Sequence, residues 1–486
     1  MIYKNPLPSV QYSILLVLIV TLLHFILAFL VPLGADESHY ALYGLMPDWS
    51  YFDHPPLVGW LQIIPMWIAP YDWSARMVPI ALFVLLNYLL FSLVRVLYPS
   101  DDSAWLGFWS LVLLNTASLF SLMGFGMLPD NPLMVITLAI ILVTIKILDH
   151  NQLKHWLYLG LLVGLAGLAK YTAVTIVVSF LLIIIIEKRW FWLKQSGFYL
   201  AVMIASIMML PILYWNIQYD WASFIYQLEH GTSGEFWDIT SLLRSQAIQL
   251  LVYSPLLFIL GWFAIFNPKN YLQFPSRLLL AFSAPVIFLF AYNSGYEESL
   301  PHWVALAWLL LIPIIVEKLW QKRHTKWLKA IIILHLTWNV SLIILIHSLL
   351  VTPWIQSTDH KNPLDHEYGW DKIAQIAKQL QQENDNLPLF VPNWSYGSHL
   401  SWSARPEAVY IANKKQTQFP YWYGSPTSGM DGLLIVPHYD EIPPTVNKAY
   451  HFEKCQLLKQ VDLKKYGKIV VTYYVHKCTN YLEPKE

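Results

Sequence analysis

Residues 5–35, NPLPSVQYSILLVLIVTLLHFILAFLVPLGA, contain no Asp, Glu, Lys or Arg, and Asp36-Glu37-Ser38-His39-Tyr40 follow at once. A signal-peptide core is shorter, and no small-residue cleavage site follows the apolar part. The run therefore predicts a retained transmembrane helix, because about 20 apolar residues cross the hydrocarbon core. The same pattern recurs along the chain. Apolar runs at roughly 77–97, 104–123, 131–148, 156–169, 171–186, 196–214, 246–266, 278–292, 302–316 and 330–351 bring the expectation to eleven spans.

Composition supports that reading. Of 486 residues, 56% are hydrophobic and 13% charged, against about 25% charged in soluble proteins. Residues 1–351 hold 34 of the 62 charged side chains, and the shorter segment 352–486 holds 28. The chain thus reads as a membrane domain, 1–351, followed by a water-facing domain, 352–486. The formal net charge of zero gives no support for nucleic-acid binding. The 23 tryptophans suit interfacial belts.

Basic residues orient the spans. With the N-terminus in the cytoplasm, fourteen Lys and Arg from Lys4 to Lys329 fall on the cytoplasmic side. Arg76, Lys170 and Arg244 remain outside. This bias predicts Lys4 inside and Glu486 outside. Acidic residues run the other way, five inside and twelve outside, which points to an outer face that uses carboxylates. Segment 352–486 reads as a small α/β domain. An amphipathic helix is expected over 370–384, with Ile373, Ile376, Ala377 and Leu380 on one face. Strands are expected at 387–391, 408–412, 432–436 and 468–477. Cys455 and Cys478 either join neighbouring strands in an oxidising compartment or remain two buried thiols.

The polar residues with chemical potential sit at outer helix ends. Asp36 and Glu37 stand where the first helix leaves the membrane, a costly position for ionisable groups. Seventeen residues after Asp36, Asp53-His54-Pro55-Pro56 holds a carboxylate and an imidazole on a segment stiffened by proline. The chain carries neither G-x-G-x-x-G nor G-x-x-x-x-G-K-[ST]. Since nucleotide sugars are cytosolic, transfer at an outer acidic cluster needs a membrane-borne donor. A carboxylate can deprotonate an acceptor hydroxyl, and a departing phosphate needs cations or hydrogen-bond donors. Arg76, Lys170 and Arg244 are the permanent outer cations of the membrane domain. Histidines 39, 54, 230 and 302 add donors, and Asp53 with His54 leaves room for a divalent metal, although two ligands do not complete a site. Plainer roles compete: Lys170 snorkelling to the interface, Arg244 as an interfacial anchor, and His302 as an ordinary interface residue. Gly160-x-x-x-Gly164 is read as a helix-packing contact.

Asp36-Glu37-x-x-Tyr40-Ala41 followed by Tyr51-Phe52-Asp53-His54-Pro55-Pro56-Leu57 resembles the first outer loop of the protein O-mannosyltransferase-like family, glycosyltransferase family 39, and its relatives the bacterial aminoarabinose transferases acting on lipid A. Leu128-Pro129-Asp130-Asn131-Pro132-Leu133, Gly164–Thr172 and Glu297-Glu298-Ser299-Leu300-Pro301-His302-Trp303 match in family order, and together the motifs cover most of residues 30–310. The resemblance implies a GT-C fold for the α-helical polytopic membrane domain of about 11 transmembrane helices, and the small outer C-terminal α/β domain is similar in placement only. It implies an inverting hexosyl- or pentosyltransferase in the inner (plasma) membrane that takes sugar from a polyprenyl phosphate. By position, Asp36 matches the family's essential acidic residue and Glu37 its neighbour. Asp130 matches a second acidic position, and Lys170 the place of a residue near the lipid phosphate. His39 stands where relatives often carry Arg or Lys, and Asp53-His54 where the aminoarabinose transferases carry Glu-Lys.

The expectation is therefore that Asp36 acts as the base, with Glu37 and Asp53 shaping the site. Lys170, with Arg244 or His54, binds the donor phosphate; His39, Asp130 and His302 belong to the same binding set. No cofactor is required, with a divalent metal left open at Asp53. The expected partners are the polyprenyl-phosphate sugar, a glycolipid, glycan or protein acceptor, and membrane lipids, with no nucleic acid. The rival from another class is a transporter or flippase of lipid-linked saccharides. It would show inverted repeats and mid-helix charges, neither of which is clear here.

Overall fold

The computed structural model describes residues 7–230, 236–296, 299–354, 367–413, 415–437, 451–465 and 468–482. Lys4, Glu297, Glu298 and Glu486, and the side chain of His230, lie outside them. The chain forms two compact units. One comprises 1–26, 48–58 and 76–345; the other comprises 27–47, 59–75 and 346–486. The division expected at 351 and 352 is therefore not the one along which the chain clusters, because two pieces of the first outer loop group with the C-terminal segment.

The first unit is helical. The opening run forms one helix, Leu7–Leu30, that stops two residues before Pro32, which lacks an N–H and disfavours helix in the residue before it. Ile14, Leu18, Ile19 and Leu22 are more than half exposed on it, as a lipid-facing surface requires. The centre of the unit is Ala305–Gln321, buried at every residue from Ala305 to Val316. A helix apolar all round belongs in the interior. Phe274–Asn293, Pro255–Phe266 and Ser103–Thr116 pack on it.

Among the described residues seven helices are long and apolar enough to cross a bilayer, or eight if a bent pair counts as one span. Three shorter apolar helices, Leu57–Ile68, Leu153–Ala169 and Tyr171–Ile186, accompany them. The multi-pass architecture holds, with these seven or eight long spans and three shorter apolar helices standing against the eleven spans expected. The run at 104–123 is two helices, Ser103–Thr116 and Ser118–Met123, separated by Ala117 in an extended conformation. The run at 246–266 turns by 120° between Ile239–Val252 and Pro255–Phe266. Ser254-Pro255 causes that turn. Proline offers no N–H to the preceding helix, and Ser254, at φ 84°, accepts from the Leu257 amide to start the next one.

Gly160 and Gly164 do make a helix contact. A Cβ on Gly160 would stand 2.7 Å from the Ala201 carbonyl oxygen, and one on Gly164 would stand 2.5 Å from Met208 Sδ. Leu153–Ala169 thereby lies against Ser196–Met208 at backbone distance.

The second unit is α/β. Strands β1 (Leu389–Val391), β2 (Val409–Ile411), β3 (Gly432–Pro437), β4 (Phe452–Lys465) and β5 (Lys468–Tyr481) form one sheet in the order β2-β1-β3-β5-β4. The β1–β2 and β1–β3 pairs are parallel, and the β3–β5 and β4–β5 pairs antiparallel. The amphipathic helix forms at Trp370–Glu383, with Ile373, Ala377 and Leu380 buried. Strand β4 was not expected: 456–460 are exposed on both faces, so no alternation marks the strand. Cys455 on β4 faces Cys478 on β5 and the two form a disulfide. Helix Trp394–Ala404 packs on Ala35–Leu45 within this unit.

Candidate active site

Three of the expected residues meet in the membrane unit. Asp130 is the first residue of helix Asp130–His150, where the positive end of the helix dipole favours a carboxylate. Lys170 is the residue after helix Leu153–Ala169, with its backbone extended, where the negative end favours a cation. Lys170 Nζ donates to both Asp130 oxygens, at 2.8 and 2.7 Å. The two residues are 6% and 3% exposed, so this is a buried, doubly bonded ion pair and not a snorkelling lysine. His302, on the short 3-10 turn Pro301–Val304, has Nε2 4.0 Å from Asp130. The Tyr253 hydroxyl, just before the 120° bend, donates to the Pro301 carbonyl at 2.8 Å and ties the bend to that turn.

Asp53 and His54 lie in the same unit as a pair, 3.8 Å apart and about one-fifth exposed. The Asp53 carbonyl accepts from Gln227, and the His54 carbonyl from the Tyr51 amide. Burial raises the Tyr51 phenol above its ordinary pKa. Among the described residues no three His, Cys, Asp or Glu side chains group as a metal's ligands would. Arg244 is exposed on Ile239–Val252.

The remaining expected residues belong to the C-terminal unit. Asp36 and Glu37 occupy the first turn of Ala35–Leu45, and both are half-buried. Glu37 accepts from the Gly34 amide at 3.0 Å. The positive end of this helix's dipole faces the two carboxylates. His39 is interior, 2% exposed. Its Nδ1 is 2.9 Å from Ser398 Oγ, and the rings of Tyr43, Trp422 and Trp394 surround it at 4.9, 5.2 and 5.5 Å.

Sequence reading missed Glu367 and His399. His399 Nε2 is 3.2 Å from Glu367 Oε2, and Trp370 stacks on the His399 ring at 5.3 Å. A Cβ placed on Gly34 would lie 3.6 Å from Glu37 Oε2 and 3.7 Å from Glu367 Oε2. The two carboxylates therefore converge on Gly34, although 330 residues separate them in the chain. No motif links them.

Several outer carboxylates have structural work instead. Asp48 accepts from the Trp215 indole at 3.0 Å, and Asp72 from the Trp402 indole at 2.7 Å. Asp238 caps Ile239–Val252 through the Thr240 and Ser241 amides. The acidic residues that the basic bias assigns to the outside are thus partly anchoring.

The structure of Cupriavidus metallidurans ArnT bound to undecaprenyl phosphate superposes on this chain with a TM-score of 0.64, covering 98% of this chain and 99% of that one at 14% identity. Its apo structure gives 0.62, covering 96% and 98%. The fold is GT-C. Residues 53–215 of the GT-C chain match the family described as dolichyl-phosphate-mannose-protein mannosyltransferase, the resemblance its motifs carry. The lipid A galacturonosyltransferase RgtD of Rhizobium johnstonii (strain DSM 114642 / LMG 32736 / 3841) is 22% identical over 285 residues. That match spans 56% of the GT-C chain and 58% of the curated relative's length.

Proposed function

We propose that the chain is a membrane glycosyltransferase that moves one sugar from a polyprenyl-phosphate donor to a lipid A-type acceptor on the outer face of the inner membrane. The carrying observation is the half-buried carboxylate pair Asp36 and Glu37 on the first turn of Ala35–Leu45, directly after a membrane-crossing helix. The names of the relatives support the substrate classes: one is a lipid A galacturonosyltransferase and the other binds undecaprenyl phosphate.

In this reading Asp36 takes the proton from the acceptor hydroxyl as its oxygen attacks the anomeric carbon. The bond from that carbon to the phosphate oxygen breaks, and the carrier phosphate leaves with the electron pair. A single displacement of this kind inverts the anomeric centre. Glu37 fixes the helix entry through Gly34. Lys170 retains one N–H after its two bonds to Asp130, and with His302 it serves the departing phosphate. Arg244 and His54 are further candidates for that task, and Asp53 shapes the site beside His54. His39 positions Ala35–Leu45 through Ser398. This displacement asks for no cofactor. The C-terminal unit lies in the periplasm.

The test is transfer by purified protein given a polyprenyl-phosphate sugar and lipid A, followed by mass spectrometry of the acceptor. Asp36→Asn should lower turnover by roughly 10²–10⁴, the range general-base catalysis supplies, while thermal unfolding stays unchanged. Wild-type turnover in Asp36→Asn would remove the base assignment. Accumulation of unmodified donor across vesicles, with no transfer, would favour a flippase.

A further inference from the structure

Helix Lys326–Val351 is thinly packed. Ile333, Leu334 and Ile344 on it are more than 60% exposed. Near its start two apolar crevices open side by side. The first, of 390 Å³, lies between this helix and the ends of Ser103–Thr116 and Ala305–Gln321, with Trp109, Val316 and Ile332 in its walls. The second, of 310 Å³, runs along Pro255–Phe266, with Leu260, Phe263 and Ile331 in its walls. Leu256, Leu319 and Leu328 line both and form the partition between them. Each volume is at the low end of the roughly 300–1,000 Å³ of ligand cavities. Both crevices are at the membrane end where the basic bias of the sequence places the cytoplasm.

The mouths are cationic. Arg323 and Lys329 border the first crevice, and Lys318 and Lys322 the second. Arg323 is paired with Asp102 at 3.3 Å and Lys318 with Glu317 at 3.5 Å. Lys322, Lys326 and Lys329 are exposed, and among the described residues no carboxylate pairs with any of them. Trp320 and Trp327 stand at the same rims, at the depth amphipathic rings prefer.

We infer that the paired crevices hold the two acyl chains of one anionic phospholipid of the cytoplasmic leaflet, its phosphate seated among Lys322, Lys326 and Lys329. Two grooves sharing one wall match a lipid with two chains. A single polyprenyl chain would fill one groove, and a free phosphate would fill neither. Three uncompensated ammonium groups match a net negative headgroup and give little to a zwitterion. The lipid completes the packing of the helix that leads into the C-terminal segment.

The test is native mass spectrometry of the full-length protein in detergent, with equimolar phosphatidylglycerol and phosphatidylethanolamine. Wild type should retain phosphatidylglycerol roughly tenfold over phosphatidylethanolamine. Lys322→Gln/Lys326→Gln/Lys329→Gln, all at exposed positions, should bring the two lipids to within about twofold of each other. Leu319→Trp, in the partition, should reduce retention of both. Equal retention of the two lipids by wild type would overturn the inference, as would an undiminished preference in the triple variant. Displacement of phosphatidylglycerol by equimolar undecaprenyl phosphate would give the crevices to the carrier lipid and also overturn it. Retention is read without turnover, so its failure leaves the transferase reading untouched.

Discussion

Removing the Lys170 ammonium leaves the Asp130 carboxylate buried without its counter-charge, a loss of about 3–5 kcal/mol for a buried pair. Lys170→Ala is therefore expected to unfold at lower temperature as well as to lose transfer, and activity alone would not separate the two effects. Lys170→Met combined with Asp130→Asn removes both charges. It should recover most of the thermal stability and still transfer sugar at under about a tenth of the wild-type rate, the value of one charge-assisted hydrogen bond. A double variant that is both stable and fully active would confine the pair to a structural role. Other carboxylates are also taken up by structural bonds. Asp48, Asp72 and Asp238 each satisfy an indole or a helix end, so the charge count of the outer face overstates how many acids are left for chemistry.

Elements respond to where their side chains lead. Gly160→Val should break the contact of Leu153–Ala169 with Ser196–Met208, because the new Cβ meets backbone atoms of Ala201 at 2.7 and 2.8 Å and backbone cannot swing aside. Overpacking of this kind costs about 1–3 kcal/mol, to be read as a lower unfolding temperature in detergent. An unchanged temperature would mean that the helices separate freely. In the sheet, His476 on β5 is buried, and burial holds its imidazole below the ordinary 6.5, against donation to the Leu434 backbone carbonyl, which raises it. The unfolded chain then binds a proton that the folded chain refuses. Stability of the C-terminal sheet is full above about pH 6.5 and declines as pH falls below it towards the folded pKa. Hydrogen exchange of β5 between pH 7.5 and 5 should show this loss (roughly neutral down to acidic conditions), and His476→Gln should flatten it. An equal slope in that variant would place the pH sensitivity elsewhere.

At the scale of the molecule the membrane orientation is open to a direct test. Lys326–Val351 has 26 residues, about 39 Å at 1.5 Å per residue, more than the ~30 Å hydrocarbon core. Reporter fusions after Lys329 and after Val351 should therefore report opposite sides, cytoplasmic and periplasmic respectively. The same side for both would overturn the orientation and, with it, the periplasmic placement of the C-terminal unit. The parity of the remaining spans is a separate matter, since the 120° bend lets Ile239–Phe266 enter and return or cross in two pieces.

The membrane class, the basic bias, the GT-C resemblance, the Gly160 and Gly164 contact and the helix at 370–383 were legible in the sequence because each is a local or compositional property. Hydrophobic length, helical period and a missing side chain act within one segment or on its immediate solvent. The Cys455 and Cys478 pairing was half legible: isolation of the two thiols suggested it, and only the register of β4 on β5 brought them face to face. The bend at Ser254-Pro255 was written in the chain but masked by the unbroken apolarity around it. Long-range partners were not legible at all. Lys170 on Asp130, His302 beside them, His399 on Glu367, and Glu367 with Glu37 around Gly34 join positions 32 to 330 residues apart. No periodicity connects such positions, because what brings them together is the packing of helices whose apolar faces could pair in many ways. Tertiary structure alone decided which carboxylates are anchored to indoles and which stand half-buried at a helix start.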